Sequence, residues 1–233
     1  MQWQDWCREL VEVLGLSRTP VGVVYTDVLP QGVETPNCRA CSALHRAAAG
    51  ETIGVSAASS ACPGGAMYLG FRTPAPEQMR KLRDFLINGE KLFTCPAAIH
   101  RAQKQAVQPP LGMAEYAVLG PLDTLPLQPD VVVVICNPAQ AARLIGLSYY
   151  ESGEPLQCDP TGALCRAAIT YSLVTNRVNV TFGDITARKM EHVPEDQLYV
   201  TLPLQALRSV IASLDGCSCG RAAVDMSKLP TAE

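Results

Sequence analysis

Apolar and polar positions repeat with two different periods along this chain, and the two periods predict alternating helices and strands. Residues 3–14 carry apolar side chains at the spacing of an amphipathic helix, which Gly15 ends. Residues 130–137, DVVVVICN, form a nearly continuous β-branched run of the kind found in strands that are buried on both faces. The other predicted strands are 20–27, 52–57, 115–122, 177–182 and 197–202, and the other predicted helices are 38–49, 76–90, 96–107, 138–144, 165–174 and 203–214.

Strands and helices alternate over the whole chain, which favours an α/β or α+β fold with a mixed sheet. We expect one α/β domain over residues 1–215, with candidate halves at 1–110 and 111–215. A short polar tail, residues 216–233, follows this domain and carries a Cys-Ser-Cys sequence near its start.

The order of features in the first half is repeated in the second half, which suggests a diverged internal duplication. In the first half a strand precedes Cys41, a small-residue helix, a second strand and then Cys62. In the second half a strand precedes Cys165, a helix, a second strand and then Asp184. Under this hypothesis the turns at Cys62 and Asp184 face each other across a pseudo-twofold axis, where ligand sites often form.

Composition indicates a globular protein and argues against nucleic-acid and membrane partners. Hydrophobic residues make up 48% and charged residues 18% of the 233-residue chain, as expected for a globular protein with a real core. A net charge of −3 without a basic stripe argues against nucleic-acid binding. The chain contains no run of eighteen apolar residues, so no membrane span is predicted. The N-terminal sequence is not that expected of a secretory signal. We therefore expect a cytoplasmic protein without nucleic-acid or membrane partners, and leave homo-oligomer formation open.

Ten cysteines are a high number for a chain of this length. Because cytosolic thiols stay reduced, these cysteines are expected to be metal or cluster ligands, redox thiols or buried core residues. Cys38 and Cys41 form the sequence C-R-A-C, whose spacing in a helix would place two thiols about one turn apart. Such a pair suits half of a zinc site, two ligands of an iron–sulfur cluster, or a redox dithiol.

A second cysteine motif is C-P-G-G, which begins at Cys62. Proline after a cluster ligand turns the chain away from the cluster, and Gly64 and Gly65 would let backbone amides approach a bound group closely. Cys95 also precedes a proline at a predicted helix entrance, where the amide dipoles favour the thiolate. Cys165 begins another predicted helix and corresponds to Cys41 in the proposed repeat.

These cysteines favour an iron–sulfur protein that serves electron transfer, redox sensing or reductive chemistry with a redox partner protein. A 4Fe–4S cluster is the expected cofactor, with Cys38, Cys41, Cys62 and Cys165 as metal ligands and Cys95 as a further cofactor-binding residue. Zinc is the alternative metal, because sequence alone does not separate the two. A metal-free thiol oxidoreductase or redox switch and a non-catalytic small-molecule binding module are the competing functions. No catalytic residue is assigned, and whether the protein is an enzyme stays open.

The segments 20–27, 38–71, 137–154 and 183–203 together resemble the uncharacterised DUF169 proteins of bacteria and archaea. The resemblance covers the chain to about Leu214, and the helix–strand–CPGG block is its most specific part. Iron–sulfur binding in cysteine-rich members is what the resemblance implies.

The resemblance also implies a cysteine in the turn that Gly183 and Asp184 occupy here. This chain departs from that pattern at Asp184, which puts a simple four-thiolate site in doubt. Cys217 and Cys219 of the tail are therefore candidates for replacement ligands.

Overall fold

The computed structural model describes residues 2–229, in which six strands form one sheet. The order of the strands across the sheet is symmetric, and all five pairings between neighbouring strands are antiparallel. The strands are β1 (Val21–Thr26), β2 (Ile53–Ser56), β3 (Tyr116–Pro121), β4 (Val131–Cys136), β5 (Asn179–Thr181) and β6 (Leu198–Pro203), and their order is β2-β3-β1-β4-β6-β5.

Nine α-helices cover the sheet in the described part of the chain, and two of them adjoin a π-helical turn. The π-helical turns are Phe85–Gly89 and Arg166–Thr170, and a 3₁₀ turn spans Met226–Lys228. The helices are α1 (Gln2–Leu14), α2 (Ala40–Ala48), α3 (Pro63–Tyr68), α4 (Pro76–Asp84), α5 (Pro96–Gln105), α6 (Pro138–Tyr149), α7 (Tyr171–Thr175), α8 (Ile185–Met190) and α9 (Leu204–Ser213). None of the helices within residues 2–229 has both the length and the apolar character needed to cross a membrane.

The sheet that was expected to be mixed has only antiparallel ladders, because a third strand is inserted between each pair of parallel ones. β1 and β2 run in the same direction, as a strand–helix–strand unit predicts, but β3 lies between them and pairs with both. β6 separates β4 from β5 in the same way. The described α/β architecture is otherwise the predicted one.

The symmetric order has its centre between β1 and β4, which pair with each other. Each half of the sheet therefore contains three consecutive strands of the chain, in the same arrangement. β3 lies in the first half of the sheet, and the chain passes to the second half between Pro121 and Val131. The internal duplication itself stays a prediction.

The sheet separates two hydrophobic cores, and β4 contributes to both of them. Val131, Val133 and Ile135 face the first core, whereas the alternate residues of the strand face the second core. All six residues of β4 are buried, which confirms the predicted doubly buried strand. The first core lies beneath α2 and the 164–169 segment, and the second lies beneath α1, α6 and α9.

The end of α6 and the start of the tail both differ from the prediction, and the two differences are connected. α6 continues to Tyr149 instead of ending at Leu144. A Cβ at Gly146 would lie 2.3 Å from the Cys219 Sγ, so the glycine makes room for the tail within the helix. Cys217 is buried in the second core, and the Arg143 side chain donates hydrogen bonds to the carbonyls of Cys219 and Gly220. The first residues of the tail are therefore packed, while 230–233 lie outside the described residues.

Candidate functional site

Two cysteines at equivalent helix starts lie in the first core. Cys41 occupies the first turn of α2, and Cys165 immediately precedes the π-helical turn that leads into α7. Cys165 is 8% exposed and Cys41 is partly buried against the same set of apolar side chains. Cys41 and Cys165, which the comparison of the two halves had paired, thus lie on the same face of the sheet.

Cys62 and Asp184 occupy equivalent positions at the starts of two six-residue helices. The Cys62 Sγ accepts a hydrogen bond from the Gly65 N–H at 3.4 Å, at the start of α3. An Asp184 carboxylate oxygen accepts one from the Ala187 N–H at 2.7 Å, at the start of α8. Both side chains therefore act as N-caps, because each satisfies the N–H of the third helical residue.

The Asp184 carboxylate also connects the two predicted ligand segments of the second half. Its other oxygen accepts a hydrogen bond from the Leu164 N–H at 2.9 Å, and Leu164 is the residue before Cys165. One carboxylate thus fixes both the start of α8 and the backbone that presents Cys165.

The short helix of each half packs on the longer helical segment of the other half. α3 contacts the Arg166–Thr170 turn. The Ser42 hydroxyl of α2 donates a hydrogen bond at 2.5 Å to Glu191, which follows α8. This exchange brings Cys62 and Cys165, which lie far apart in the sequence, within electrostatic range of each other.

Cys62 and Asp184 lie close enough to Cys41 and Cys165 to affect the ionisation of those two thiols. Burial raises the pKa of Cys165 well above its ordinary value, and Cys62, Cys41 and Asp184 raise it further by charge repulsion. Burial also raises the pKa of Cys41 to about 12, with Glu191, Asp184 and Cys62 adding to the effect. We call this set, Cys41, Cys62, Cys165 and Asp184, the thiol cluster.

Cys38 packs against the same core as Cys41, but it lies outside α2. α2 begins at Ala40, so C-R-A-C does not lie within one helix as predicted. The backbone of Cys38 is instead extended and forms a parallel bridge with Ser60. Burial raises the pKa of its thiol, and the charges that act on it are those of Arg46, Glu191 and Glu51. The expected spacing of one helical turn is lost because the backbone of Cys38 bonds to that of the turn before Cys62.

Cys95 is the N-cap of α5, as its Cys-Pro sequence predicted, but it is not part of the thiol cluster. Its pKa is lowered mainly by the Ala98 N–H and next by the Thr94 side chain, and Arg101 adds a smaller effect. It is a partly exposed thiol near the start of one helix.

Gly64 and Gly65 form the first turn of α3 beside Cys62. Neither glycine has a positive φ, and a Cβ at Gly65 would meet only ordinary contacts, the nearest being the Cys62 Cβ at 3.5 Å. A Cβ at Gly64 would lie 3.8 Å from the Cys62 Sγ. The fold by itself would therefore accept alanine at either position, and the missing side chains leave the Cys62 thiol uncovered.

Cys217 and Cys219 do not reach the thiol cluster, because they lie on the opposite face of the sheet. Cys217 is buried in the second core, and Cys219 packs against that core. Cys7 and Cys136 belong to the same core, and Cys158 is exposed. The tail thus supplies no replacement ligand in this arrangement.

Three tyrosines and His45 lie around the thiol cluster; the sequence had placed His45 one helical turn after Cys41 as a candidate ligand, whereas the tyrosines were not identified. Charge repulsion from Cys165 contributes to the raised pKa of both Tyr25 and Tyr68, after the larger effect of burial. Tyr199 is fully buried, and its pKa is raised by burial and, more weakly, by Cys41 and Asp184. His45 contacts the Tyr199 hydroxyl through Nε2 at 2.9 Å. These residues occupy ordinary strand and helix positions, so only the fold brings them to the site.

Within residues 2–229, no three His, Cys, Asp or Glu side chains are arranged to hold a single metal ion. All ten cysteines are free thiols. The thiol cluster therefore combines three soft sulfur donors and one carboxylate, from four chain segments, rather than forming a closed tetrahedral site.

Comparison with known proteins agrees with the resemblance noted in the sequence. The chain is 26% identical over 220 residues to Uncharacterized protein MJ0308 of Methanocaldococcus jannaschii, and the match covers 89% of this chain and 91% of that protein. No solved structure matches the chain. The family model DUF169, described as Uncharacterised ArCR, matches residues 9–213. The predicted family is confirmed: the chain belongs to DUF169.

Proposed function

We propose that this protein binds an iron–sulfur cluster at the thiol cluster and serves a redox role in the cytoplasm. The observation that carries the proposal is the meeting of Cys41, Cys62 and Cys165, from three separate segments, without a disulfide among them. Thiolates are the usual ligands of iron–sulfur clusters. Cluster ligands bind separate iron atoms, so they stand further apart than the ligands of one ion.

The electrostatics of the site support a cationic or metal-containing occupant. Charge repulsion from Cys62 and Cys41 adds to the effect of burial in raising the pKa of Cys165. Metal coordination relieves such repulsion, because it removes the thiol protons and places positive charge between the sulfurs. The thiols of Cys41 and Cys165, which their raised pKa keeps neutral in the metal-free protein, would release their protons only when a metal centre forms.

Asp184 supports the proposal as the residue that positions Cys165. Both carboxylate oxygens accept backbone N–H hydrogen bonds, from Ala187 and Leu164. In the proposed site Asp184 therefore fixes the backbone before Cys165 to the start of α8, and three thiolates bind the cluster directly.

Gly64 and Gly65 support the same occupant, since the fold would accept alanine at either position. Glycines here allow a bound group to approach the backbone amides of α3, and such amides tune the reduction potential of a cluster. When bound, the cluster would supply one-electron transfer, with a redox partner protein as donor or acceptor.

The raised pKa values favour this proposal over a metal-free dithiol enzyme. Burial raises the pKa of both Cys38 and Cys41, whereas reactive thiols have a lowered pKa. In addition, Cys38 lies outside the helix that carries Cys41.

The test is iron and sulfide analysis with an absorption spectrum on protein isolated without oxygen. We expect stoichiometric iron and sulfide in the wild type, and loss of both in C41S, C62S and C165S. C158S is the matched control, because Cys158 is exposed and not a member of the thiol cluster. C38S should also retain iron.

Two results would overturn the proposal. One is a wild-type protein that stays free of iron after reconstitution with iron and sulfide. The other is a stoichiometric zinc content without sulfide, which would assign the thiols to a zinc site instead.

A further inference from the structure

A hydrogen-bonded chain leads from the edge of the protein to the thiol cluster. Arg18 lies before β1, His45 lies in α2, and Tyr199 lies in β6. The Arg18 guanidinium nitrogen is 3.4 Å from His45 Nδ1, and His45 Nε2 is 2.9 Å from the Tyr199 hydroxyl. His45 and Tyr199 are buried, whereas Arg18 is partly exposed.

The chemistry of arginine sets the direction of these hydrogen bonds. A guanidinium group has only donors, so His45 Nδ1 must accept the hydrogen bond from Arg18. A neutral imidazole that accepts at Nδ1 carries its proton at Nε2. His45 Nε2 therefore donates to the Tyr199 oxygen, and the phenolic proton of Tyr199 must go to another acceptor.

The surroundings of the Tyr199 ring indicate where that acceptor is. Among the described residues, His45 is the hydrogen-bond partner of the Tyr199 hydroxyl. The ring lies beside the turn of Asp184, since a Cβ at Gly183 would be 3.3 Å from Tyr199 Cε2. Cys41 and Asp184 both act electrostatically on the hydroxyl. A buried hydroxyl proton without an acceptor is unfavourable, so this proton is available to an anionic group in the thiol cluster.

We propose that Tyr199, oriented by His45 and Arg18, donates a hydrogen bond to an anionic sulfur of the group bound at the thiol cluster. The identity of the acceptor rests on the proposed function. The direction of the hydrogen bonds does not depend on it. The sulfur is either the Cys41 thiolate or an inorganic sulfide. Tyr199 is then a positioning and tuning residue, because hydrogen bonds to cluster sulfurs change the reduction potential.

The first test uses the metal-free wild-type protein and needs no cluster. Nitrogen-15 NMR of the imidazole rings distinguishes the two neutral tautomers, and this chain has three histidines, so assignment is direct. We expect His45 to carry its proton at Nε2 at neutral pH. A proton at Nδ1 would overturn the inference, because Tyr199 would then donate to His45 instead.

The second test compares Y199F with Y25F in the cluster-loaded protein. The Tyr25 hydroxyl donates to the Leu69 carbonyl at 3.3 Å, so its loss should leave the cluster unaffected even though Tyr25 lies near Cys165. We expect Y199F to bind iron and sulfide normally but to lower the reduction potential, while Y25F keeps the wild-type potential.

Failure of the Tyr199 inference and failure of the proposed function would give different results. Equal potentials in Y199F and the wild type would overturn the role of Tyr199 while leaving the cluster in place. A wild-type protein without a cluster would overturn the proposed function and the acceptor with it. If Y199F fails to fold, H45Q serves as a second variant, and the tautomer of the wild type still decides the direction of donation.

Discussion

Cys62 and Asp184 cap the equivalent helices α3 and α8 with the same contact, in which a side-chain atom accepts the N–H of the third helical residue. One position holds a thiol and the other a carboxylate. The symmetric strand order places them in corresponding halves of the sheet. The Asp184 carboxylate has a further contact, because it also accepts a hydrogen bond from the N–H of Leu164, the residue before Cys165.

Replacing Asp184 should therefore destabilise the protein and weaken the site. We expect D184A to lower the free energy of unfolding by about 1–3 kcal/mol, since a cap and a second backbone hydrogen bond are lost. Urea denaturation of the metal-free protein measures this change. D225A, which removes an exposed cap near the end of the described chain, should have little effect. Equal stability of D184A and the wild type would contradict the double-cap role.

Asp184→Cys should recreate the contact that Cys62 makes in the other half. A cysteine at this position caps α8 through sulfur and adds a fourth thiolate to the thiol cluster. We expect D184C to retain iron and sulfide at least as well as the wild type, whereas D184A loses them. Iron content after exposure to a chelator compares the three proteins, and faster loss from D184C than from D184A would contradict the expectation.

Gly65→Ala should leave the stability of the fold unchanged or higher but weaken the binding of the cluster. Alanine at Gly65 meets only ordinary contacts and has a better helix propensity, so the unfolding temperature should stay the same or rise. Iron and sulfide content should nevertheless fall, because the methyl group occupies space beside Cys62. Normal cluster content in a stable G65A protein would show that this space is not used.

The metal-free protein should lose stability in alkaline solution. Burial raises the pKa of Cys41 and Cys136 in the folded state from 9.0 to about 12. As the pH rises above 9, the unfolded chain therefore loses these protons first, and the free energy of unfolding falls until about pH 12. Below pH 9 both states keep the protons, and the contribution is fully present.

Denaturation under reducing conditions at pH 7, 9, 10 and 11 measures this fall. C136A should show a shallower pH dependence between 9 and 11, and C158A, at an exposed position, should show that of the wild type. A stability that stays constant over this range would contradict the prediction.

The contact between α6 and the tail should be visible in a double-mutant cycle. G146A places a Cβ 2.3 Å from the Cys219 Sγ and 3.2 Å from its Cβ, so we expect a destabilisation of about 1–3 kcal/mol. C219G removes both atoms, and the double variant G146A/C219G should recover most of the loss. Additive effects of the two changes would show that the tail does not pack here in solution.

The sequence by itself determined the elements whose signals are local. The β-branched run of β4, the helix of residues 2–14 and the Pro-headed helix after Cys95 follow from periodicity and capping chemistry. The helix after Cys62 was not predicted. The correspondence between Cys62 and Asp184 could also be predicted from the sequence, because it depends on the order of features along the chain.

Only the tertiary structure decided which of these features meet. The insertion of β3 and β6 between parallel strands made the ladders antiparallel, and no local pattern encodes that choice. The packing of α3 and α8 against the opposite half brings Cys62 and Asp184 into electrostatic range of Cys41 and Cys165. The physical reason is that periodicity reports the surroundings of one segment, whereas convergence of thiols depends on how distant segments pack across the sheet.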